Sequence, residues 1–248
     1  MYRLFTSERK ISLLKRVGFD RQIKREWLDK TVELLINKED SKDIKNILDG
    51  IVKEDIASND NRRKAISILM HSWINVETDH IAIRSKALKL WETGNSTERL
   101  AIHWCMLSLA YPLFFNISEI IGKLINLQDE FSLNMVRRRV YDVWGERSTL
   151  DYAINRVVWS MKDWGTIGQN GKVGEYKKIE RIVIEDKEVQ LLLLEAYFIA
   201  SQRSNIPCAE LEMINALFPF KTDITINDLQ SNHRFKINNM GNNLVVSL

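Results

Sequence analysis

Residues that interrupt regular secondary structure are scarce in this chain. Its 248 residues include only three prolines and ten glycines. Proline breaks helices because it lacks a backbone N–H donor, and glycine weakens them because its backbone is unusually free. The composition, 45% hydrophobic and 28% charged, lies in the range of ordinary globular proteins. We therefore predict a mainly α fold with long helices.

The first 115 residues are predicted to form an N-terminal helical bundle, domain 1–115. Asn95, followed three residues later by Glu98, has the spacing of a capping box at a helix start. Residues 101–115 are strongly apolar, but they include His103 and are shorter than the ~20 residues that a membrane-spanning helix needs. We predict a buried core helix there and no membrane partner.

Two features of the sequence indicate a cytoplasmic protein. The first ten residues are polar and charged, unlike a secretory signal. Cys105 and Cys208 lie in apolar helical patterns, without a Cys or His neighbour at zinc-ligand spacing. We interpret both as reduced core residues in a reducing compartment.

Residues 116–184 are predicted to form a second domain of three helices followed by a β-hairpin. The predicted helices cover residues 118–127, 132–143 and 148–163. A short turn that contains Gly145 joins the last two, as in a helix-turn-helix unit. Asn170-Gly171 is a strong hairpin-turn signal. The β-branched residues that suit the returning strand are Ile179, Ile182, Val183 and Ile184.

Residues 185–248 are predicted to form a small helical and β C-terminal region. An apolar helix is expected over 186–202 and a shorter one over 207–217. Two β-rich pieces, 235–237 and 244–246, flank a turn rich in asparagine and glycine. We expect these two pieces to pair into a small terminal sheet.

The helix predicted at 148–163 carries the candidate binding face. Its apolar stripe consists of Leu150, Ile154, Val157 and Met161. The residues left on the opposite side are Asp151, Tyr152, Asn155, Arg156 and Trp159. Arginine pairs with two acceptors of guanine and asparagine with adenine, so Arg156 and Asn155 are candidates for base recognition.

Other basic and hydroxyl side chains would contact phosphates. The full set of candidate nucleic-acid-binding residues is Arg137, Arg138, Arg139, Arg147, Ser148, Thr149, Tyr152, Asn155, Arg156, Lys172, Lys177 and Lys178. Residues 131–184 hold ten basic and six acidic side chains, whereas residues 185–248 hold five and eight. This segregation of charge indicates a polyanion partner.

Residues 118–184 resemble a winged helix-turn-helix domain in element order and turn chemistry. The overall layout, in which Arg147-Ser148-Thr149 opens a helix that ends in Asp163-Trp164-Gly165, is similar to small helical accessory proteins of bacterial phage-exclusion (BREX-type) defence islands. The resemblance implies a DNA- or complex-binding role rather than an enzyme. The leading hypothesis is a non-catalytic protein that binds double-stranded DNA, as a regulator or as a subunit of a larger bacterial complex such as a phage-defence system.

Two alternatives remain open. Tyr152 and Trp159 would instead dock a protein partner or a second copy of the chain, since aromatic residues are enriched at protein interfaces. The other alternative is RNA binding by the basic N-terminal helices. Its candidate residues are Arg9, Lys10, Lys15, Arg16, Lys24 and Arg25.

No sequence motif predicts catalysis, a cofactor or a metal. The chain contains no Walker-type phosphate loop, no G-x-G-x-x-G turn and no G-x-S-x-G motif. No two of its four histidines have the i, i+4 spacing of a helical zinc site. We predict structural roles for the histidines, and no enzyme activity, cofactor, metal or small-molecule substrate.

Overall fold

The computed structural model describes residues 17–241 and 243–248. Four basic residues of the RNA-binding hypothesis, Arg9, Lys10, Lys15 and Arg16, lie outside the described residues. Within them the fold is mostly helical with a few small sheets, which confirms the predicted mainly α class.

The helices of the described residues follow one another along most of the chain. They are α1 (Arg25–Ile36), α2 (Ser41–Val52), α3 (Asn59–Trp73), α4 (Ile81–Thr93), α5 (Ser96–Ala110), α6 (Pro112–Leu127), α7 (Leu133–Trp144), α8 (Ser148–Asp163), α9 (Lys187–Ser201) and α10 (Ile226–Ser231). Short 3-10 helices cover Thr78–His80, Cys208–Met213 and Asn215–Leu217. The region predicted as a second C-terminal helix, 207–217, is therefore mostly made of two short 3-10 helices.

Helix boundaries follow local signals closely. The predicted capping box at the start of α5 is confirmed: Asn95 Oδ1 accepts from the backbone N–H of Glu98 at 3.0 Å, and Glu98 Oε2 accepts from that of Asn95 at 2.8 Å. α8 has its predicted bounds. α6 begins at Pro112, six residues before the predicted start, because proline at the first helical position sacrifices no hydrogen bond. The domain boundary predicted between residues 115 and 116 therefore falls inside a helix.

The strands are short and form small sheets. They are β1 (Glu130–Ser132), β2 (Gly168–Gln169), β3 (Glu175–Lys177), β4 (Ile182–Val183), β5 (Ile206–Pro207), β6 (Phe220–Lys221), β7 (Lys236–Met240) and β8 (Asn243–Ser247). One sheet has the antiparallel order β1-β3-β2, and β4 pairs in parallel with β6. In the third sheet β8 pairs with β5 and β7, which confirms the predicted terminal sheet.

The hairpin after α8, formed by β2 and β3, is present, but its returning strand is not the predicted one. Gly168 pairs with Lys177 and Gln169 pairs with Tyr176. The Asn170-Gly171 pair lies in the connection, with Gly171 at φ +66°. Ile182 and Val183, predicted to return in the hairpin, form β4 instead. Branched residues suit any strand, so their β-propensity does not specify the partner.

Buried side chains from all three predicted regions belong to one hydrophobic cluster, which extends from Phe19 to Val246. Helices α5 and α9 form its centre, and most of their residues are buried. Trp104 of α5 packs edge-on against Phe114 of α6 at 4.9 Å and against Phe220 of β6 at 5.6 Å, measured between ring centroids. The three predicted regions therefore pack around a shared core.

The predicted core character of Cys105 is confirmed, and burial raises the pKa of its thiol. Cys208 is only half-buried. Among the described residues, no single helix is long and apolar enough to cross a membrane; α5 and α6 meet that condition only as a pair, which is bent by 119°.

Candidate nucleic-acid interface

Helix α8 lies at the surface with the β2–β3 hairpin beside it. The predicted apolar stripe is fully buried, with Leu150, Ile154, Val157 and Met161 at 0% exposure. On the outward side, Tyr152 is 66% exposed. Asp151, Asn155, Arg156 and Trp159 are half-buried. The predicted division of the helix into two faces is therefore confirmed, but the outward face is partly covered.

Arg137 connects α7 to the outward face of α8. Its guanidinium lies 2.8 Å from Asp151 Oδ1 and donates to Asn155 Oδ1 at 3.1 Å. Tyr141 donates to the same Asp151 carboxylate, and burial together with this hydrogen bond raises the pKa of Tyr141 to about 12. Asn155, a predicted base-reading residue, is thus held within the protein, and Asp151 neutralises the charge of Arg137.

The basic run Arg137 to Arg139 does not form one positive face. Successive residues of an α-helix point about 100° apart. Arg137 faces α8, Arg138 is exposed, and Arg139 is half-buried and donates to the Met135 carbonyl of its own helix at 3.4 Å. Within this run, Arg138 is the side chain most accessible to a polyanion.

Tyr176 of the hairpin and Trp159 of α8 are the aromatic residues at the contact between these two elements. Tyr176 is 1% exposed and stacks on Phe131 with ring centroids 5.6 Å apart. Burial raises the pKa of Tyr176, and the neighbouring Trp159 side chain of α8 partly opposes this effect. The guanidinium carbon of Arg156 lies 4.8 Å from the centroid of the Trp159 ring. Trp159, predicted as an interface anchor, is thus half-buried where it joins the hairpin to the helix.

The remaining predicted residues are exposed at two places. Arg147, Ser148 and Thr149 lie at the start of α8, where Arg147 donates to the Trp144 carbonyl at 3.1 Å. Lys172, Lys177 and Lys178 lie on or next to the hairpin. Lys178 lines a small cavity whose lining includes no residue of α8. The predicted residues therefore lie at the N-terminal end of α8 and on the hairpin, while Lys178 lines a cavity apart from that helix.

A groove that the sequence did not predict runs along the outward edge of α8, and we call it the α8 groove. Its opposite wall consists of residues 17–24, the loop between α2 and α3, and the start of α3. The groove has two halves, of about 490 and 580 Å³, which share Arg21 and Tyr152 in their linings. It therefore brings predicted α8 residues together with N-terminal residues.

The lining of the α8 groove is basic and partly aromatic. Five cationic side chains line it: Arg21, Lys24, Lys64, Arg147 and Arg156. Two carboxylates, Asp20 and Asp55, oppose them. Trp27 and Tyr152 supply the aromatic rings. The only sequence signal for this wall is the excess of basic residues near the N-terminus, which the RNA-binding hypothesis assigns to helices.

The wall formed by residues 17–24 has no regular secondary structure and is anchored to the core. Phe19 and Ile23 are fully buried. The backbone N–H of Ile23 donates to Ser160 Oγ at 2.9 Å, and Trp164 Nε1 donates to the Ile23 carbonyl at 2.9 Å. Both partners belong to α8 or its C-terminal cap, so the two walls of the groove are joined directly.

Three cations of the groove have polar partners at or near the surface. Lys24 Nζ lies 2.5 Å from Asp55 Oδ1, and this hydrogen bond raises the pKa of Lys24. Arg21, which is half-buried, donates to Asn61 Oδ1 at 2.8 Å and lies 3.2 Å from Asp20 Oδ2. Lys64 lies 3.1 Å from Asp60. Exposed pairs of this kind contribute about 0–1 kcal/mol, so a polyanion can replace these partners.

Comparison of the chain with protein-family models, with curated proteins and with solved structures finds no match.

His103 has the structural role expected of a buried histidine. Its Nδ1 accepts from Trp73 Nε1 at 3.2 Å, and its Nε2 lies 2.9 Å from Asp29 Oδ1. Burial lowers the pKa of His103 below its ordinary value, although Asp29 opposes this effect. Across residues 17–241 and 243–248, no cluster of three or more His, Cys, Asp or Glu side chains is arranged to hold a metal ion.

Proposed function

We propose that this chain is a non-catalytic nucleic-acid-binding protein that binds double-stranded DNA through residues 112–177, folded as a winged helix-turn-helix. The observation that carries this proposal is the element order: α6, β1, α7, α8 and then the β2–β3 hairpin, with β1 paired to β3. The turn between α7 and α8 contains Gly145 at φ +73°, a conformation that favours glycine. Two helices joined by such a turn are the unit that places a helix in the major groove.

In this proposal α8 faces the major groove and the hairpin contacts the DNA backbone. Tyr152 and Arg156 are outward side chains of α8 that Arg137 does not contact. Ser148 and Thr149 at the helix start, with Lys172 and Lys177 of the hairpin, contact phosphates. Arg137 and Asn155 act indirectly, because they fix α8 against α7.

Mobility-shift titrations with duplex DNA at several salt concentrations test this proposal. Lys172→Ala combined with Lys177→Ala should weaken binding to all sequences and reduce the slope of log affinity against log salt by about 2. The matched control is Lys89→Ala with Lys236→Ala, two exposed lysines on α4 and β7. Arg156→Ala should cost about 1–3 kcal/mol at a preferred site. Absence of duplex binding at low salt would refute the proposal.

The biological setting proposed for this activity is a regulator or a subunit of a larger bacterial complex, such as a phage-defence system. It rests on the resemblance described above. The RNA-binding alternative has less support among the described residues: Lys24 lines the α8 groove, but Arg25 pairs with Asp29 at 3.7 Å and donates to Ser96 Oγ at 2.9 Å.

The second candidate function is a protein interface, and the 66% exposure of Tyr152 favours it. Large aromatic side chains that are exposed in the free protein are common anchors of interfaces. Light scattering of the wild type and of Tyr152→Ala tests this candidate. A dimer or a complex that dissociates in the variant, without any change in duplex affinity, would favour the interface over DNA binding.

A further inference from the structure

We propose that the α8 groove binds an unpaired polynucleotide strand, distinct from a duplex. This inference rests on the proposed nucleic-acid-binding function, and it names a second form of the ligand and the surface that holds it. Three properties of the groove support it: its charge, its exposed ring and its size.

The charge of the groove suits a phosphodiester backbone. Its five cations are spread along its length rather than gathered at one point: Arg147 and Lys64 line one half, Lys24 and Arg156 line the other, and Arg21 lines both. Proteins that bind single strands combine such a basic groove with aromatic side chains on which bases stack. An acidic peptide would also pair with these cations, but it would not need the exposed aromatic ring of Tyr152.

Tyr152 supplies the stacking surface. It lines both halves of the groove and is 66% exposed, so its ring is available to a ligand and is not required by the core. Trp27 lines the same groove but is only 4% exposed, which makes it part of the floor. A base stacked on Tyr152 would place its neighbouring phosphates near Arg21. The strand would then continue toward Lys64 and Arg147 in one half of the groove and toward Lys24 and Arg156 in the other.

The size of the groove favours a strand over a duplex. Each half falls in the volume range of pockets that enclose small organic ligands. From Thr149 to Arg156 the axis of α8 rises about 10 Å, which accommodates a short stretch of nucleotides.

Fluorescence anisotropy with a labelled oligothymidylate and a labelled oligouridylate tests this inference in the full-length protein. The wild type should bind at least one of the two, and the comparison between them identifies the sugar. Tyr152→Ala should weaken binding about 5- to 150-fold, whereas Tyr152→Phe, which keeps the ring, should bind as the wild type does. Arg21→Gln with Arg156→Gln should reduce the salt slope by about 1.4.

Three controls keep the result specific to the groove. Lys89→Ala with Lys236→Ala removes two exposed charges elsewhere and should leave strand affinity unchanged. Thermal melting checks that the groove variants are folded. An oligonucleotide that contains 5-iodouracil, cross-linked by light and mapped by mass spectrometry, should be attached at or next to Tyr152.

The outcomes separate this inference from the proposed function. Strand affinity that is insensitive to both the Tyr152 and the arginine variants, or cross-links that map to another surface, would overturn the groove as the site. Duplex binding without any strand binding would also overturn it, and would leave the proposed function intact. Strand binding in the groove without duplex binding would support the inference and refute the double-stranded DNA proposal.

Discussion

The polar side chains at the centre of the fold differ from those on the outward edge of α8. At the centre the protein itself supplies their hydrogen-bond partners, whereas on the edge it does so only for some of them. Along α5 and α9, His103 is held by Trp73 and Asp29, and Glu195 accepts from Arg234 Nε at 2.9 Å. Gln190 donates to the Ile184 carbonyl at 2.7 Å. These groups are buried, and a buried polar group without a partner is costly.

The outward edge of α8 contains both kinds of side chain. Asp151 and Asn155 are held by Arg137, although they are less buried than the groups of the core. Tyr152, one residue further round the helix from Asp151, projects into the α8 groove. Exposure of a helix face therefore does not make every residue on it available, because neighbouring helices occupy part of that face.

The close approach of α6 to the 3-10 helix Asn215–Leu217 gives the largest expected effect. A Cβ atom on Gly122 of α6 would lie 2.0 Å from the Asn215 carbonyl oxygen. Gly122→Ala should therefore lower the free energy of unfolding by about 3 kcal/mol, because backbone must move. A Cβ atom on Gly50 of α2 would have no neighbour within 4 Å, so Gly50→Ala should raise stability by about 0.5–1 kcal/mol. Urea-induced unfolding of both variants measures the contrast, and equal effects would contradict it.

The two aromatic residues of the outward edge should differ next most strongly. Trp159→Ala removes the contact between α8 and Tyr176 of the hairpin and should cost about 2 kcal/mol, less than for a fully buried tryptophan. Tyr152→Ala should change stability by at most about 0.5 kcal/mol, since the ring is exposed. Thermal unfolding compares them. A larger loss for Tyr152→Ala would show that the ring belongs to the core.

The buried histidine predicts a pH dependence of stability. Burial lowers the pKa of His103 in the folded protein below the ordinary value of 6.5. Above that pH the imidazole is neutral in both states, and its contribution to stability is complete. Below it the unfolded chain takes up a proton that the folded protein resists, so the free energy of unfolding falls by at most about 1.4 kcal/mol per pH unit.

His103→Gln isolates this contribution, because glutamine can accept from Trp73 and donate to Asp29 without titrating in this range. Urea-induced unfolding should therefore depend less on pH in the variant than in the wild type as the pH falls below about 6.5. Identical pH profiles would show that His103 is protonated as readily in the folded protein as in the unfolded chain.

The smallest expected effect compares two neighbouring arginines. Arg137→Ala breaks the contacts with Asp151 and Asn155 and should cost about 1 kcal/mol, whereas Arg138→Ala should change stability by less than about 0.5 kcal/mol. The same two variants should show the opposite order in duplex affinity, because Arg138 is the exposed one. Equal stabilities would indicate that Arg137 does not hold α8.

Much of the local structure could be predicted from sequence. The Asn95 and Glu98 capping box and the bounds of α8 depend on residues within a few positions of each other. The Asn170-Gly171 turn likewise depends on two adjacent residues that tolerate its backbone angles. The predicted strand that returns from this turn is wrong, because Ile182 and Val183 are paired by β6, which lies far along the chain.

The candidate site likewise combines features that the sequence predicts with features that depend on distant segments of the chain. The sequence alone determined which residues of α8 face outward, since helical periodicity separates Tyr152 and Arg156 from the apolar stripe. Only the tertiary structure decided that Arg137 contacts Asp151 and Asn155 and so occupies them within the protein. It likewise decided that Arg21 and Lys24 lie opposite α8. Ile23 is joined to Ser160 across 137 positions of sequence. Helix periodicity is set by hydrogen bonds between near neighbours, whereas a groove forms where distant segments pack together, and no short stretch of sequence contains both of its walls.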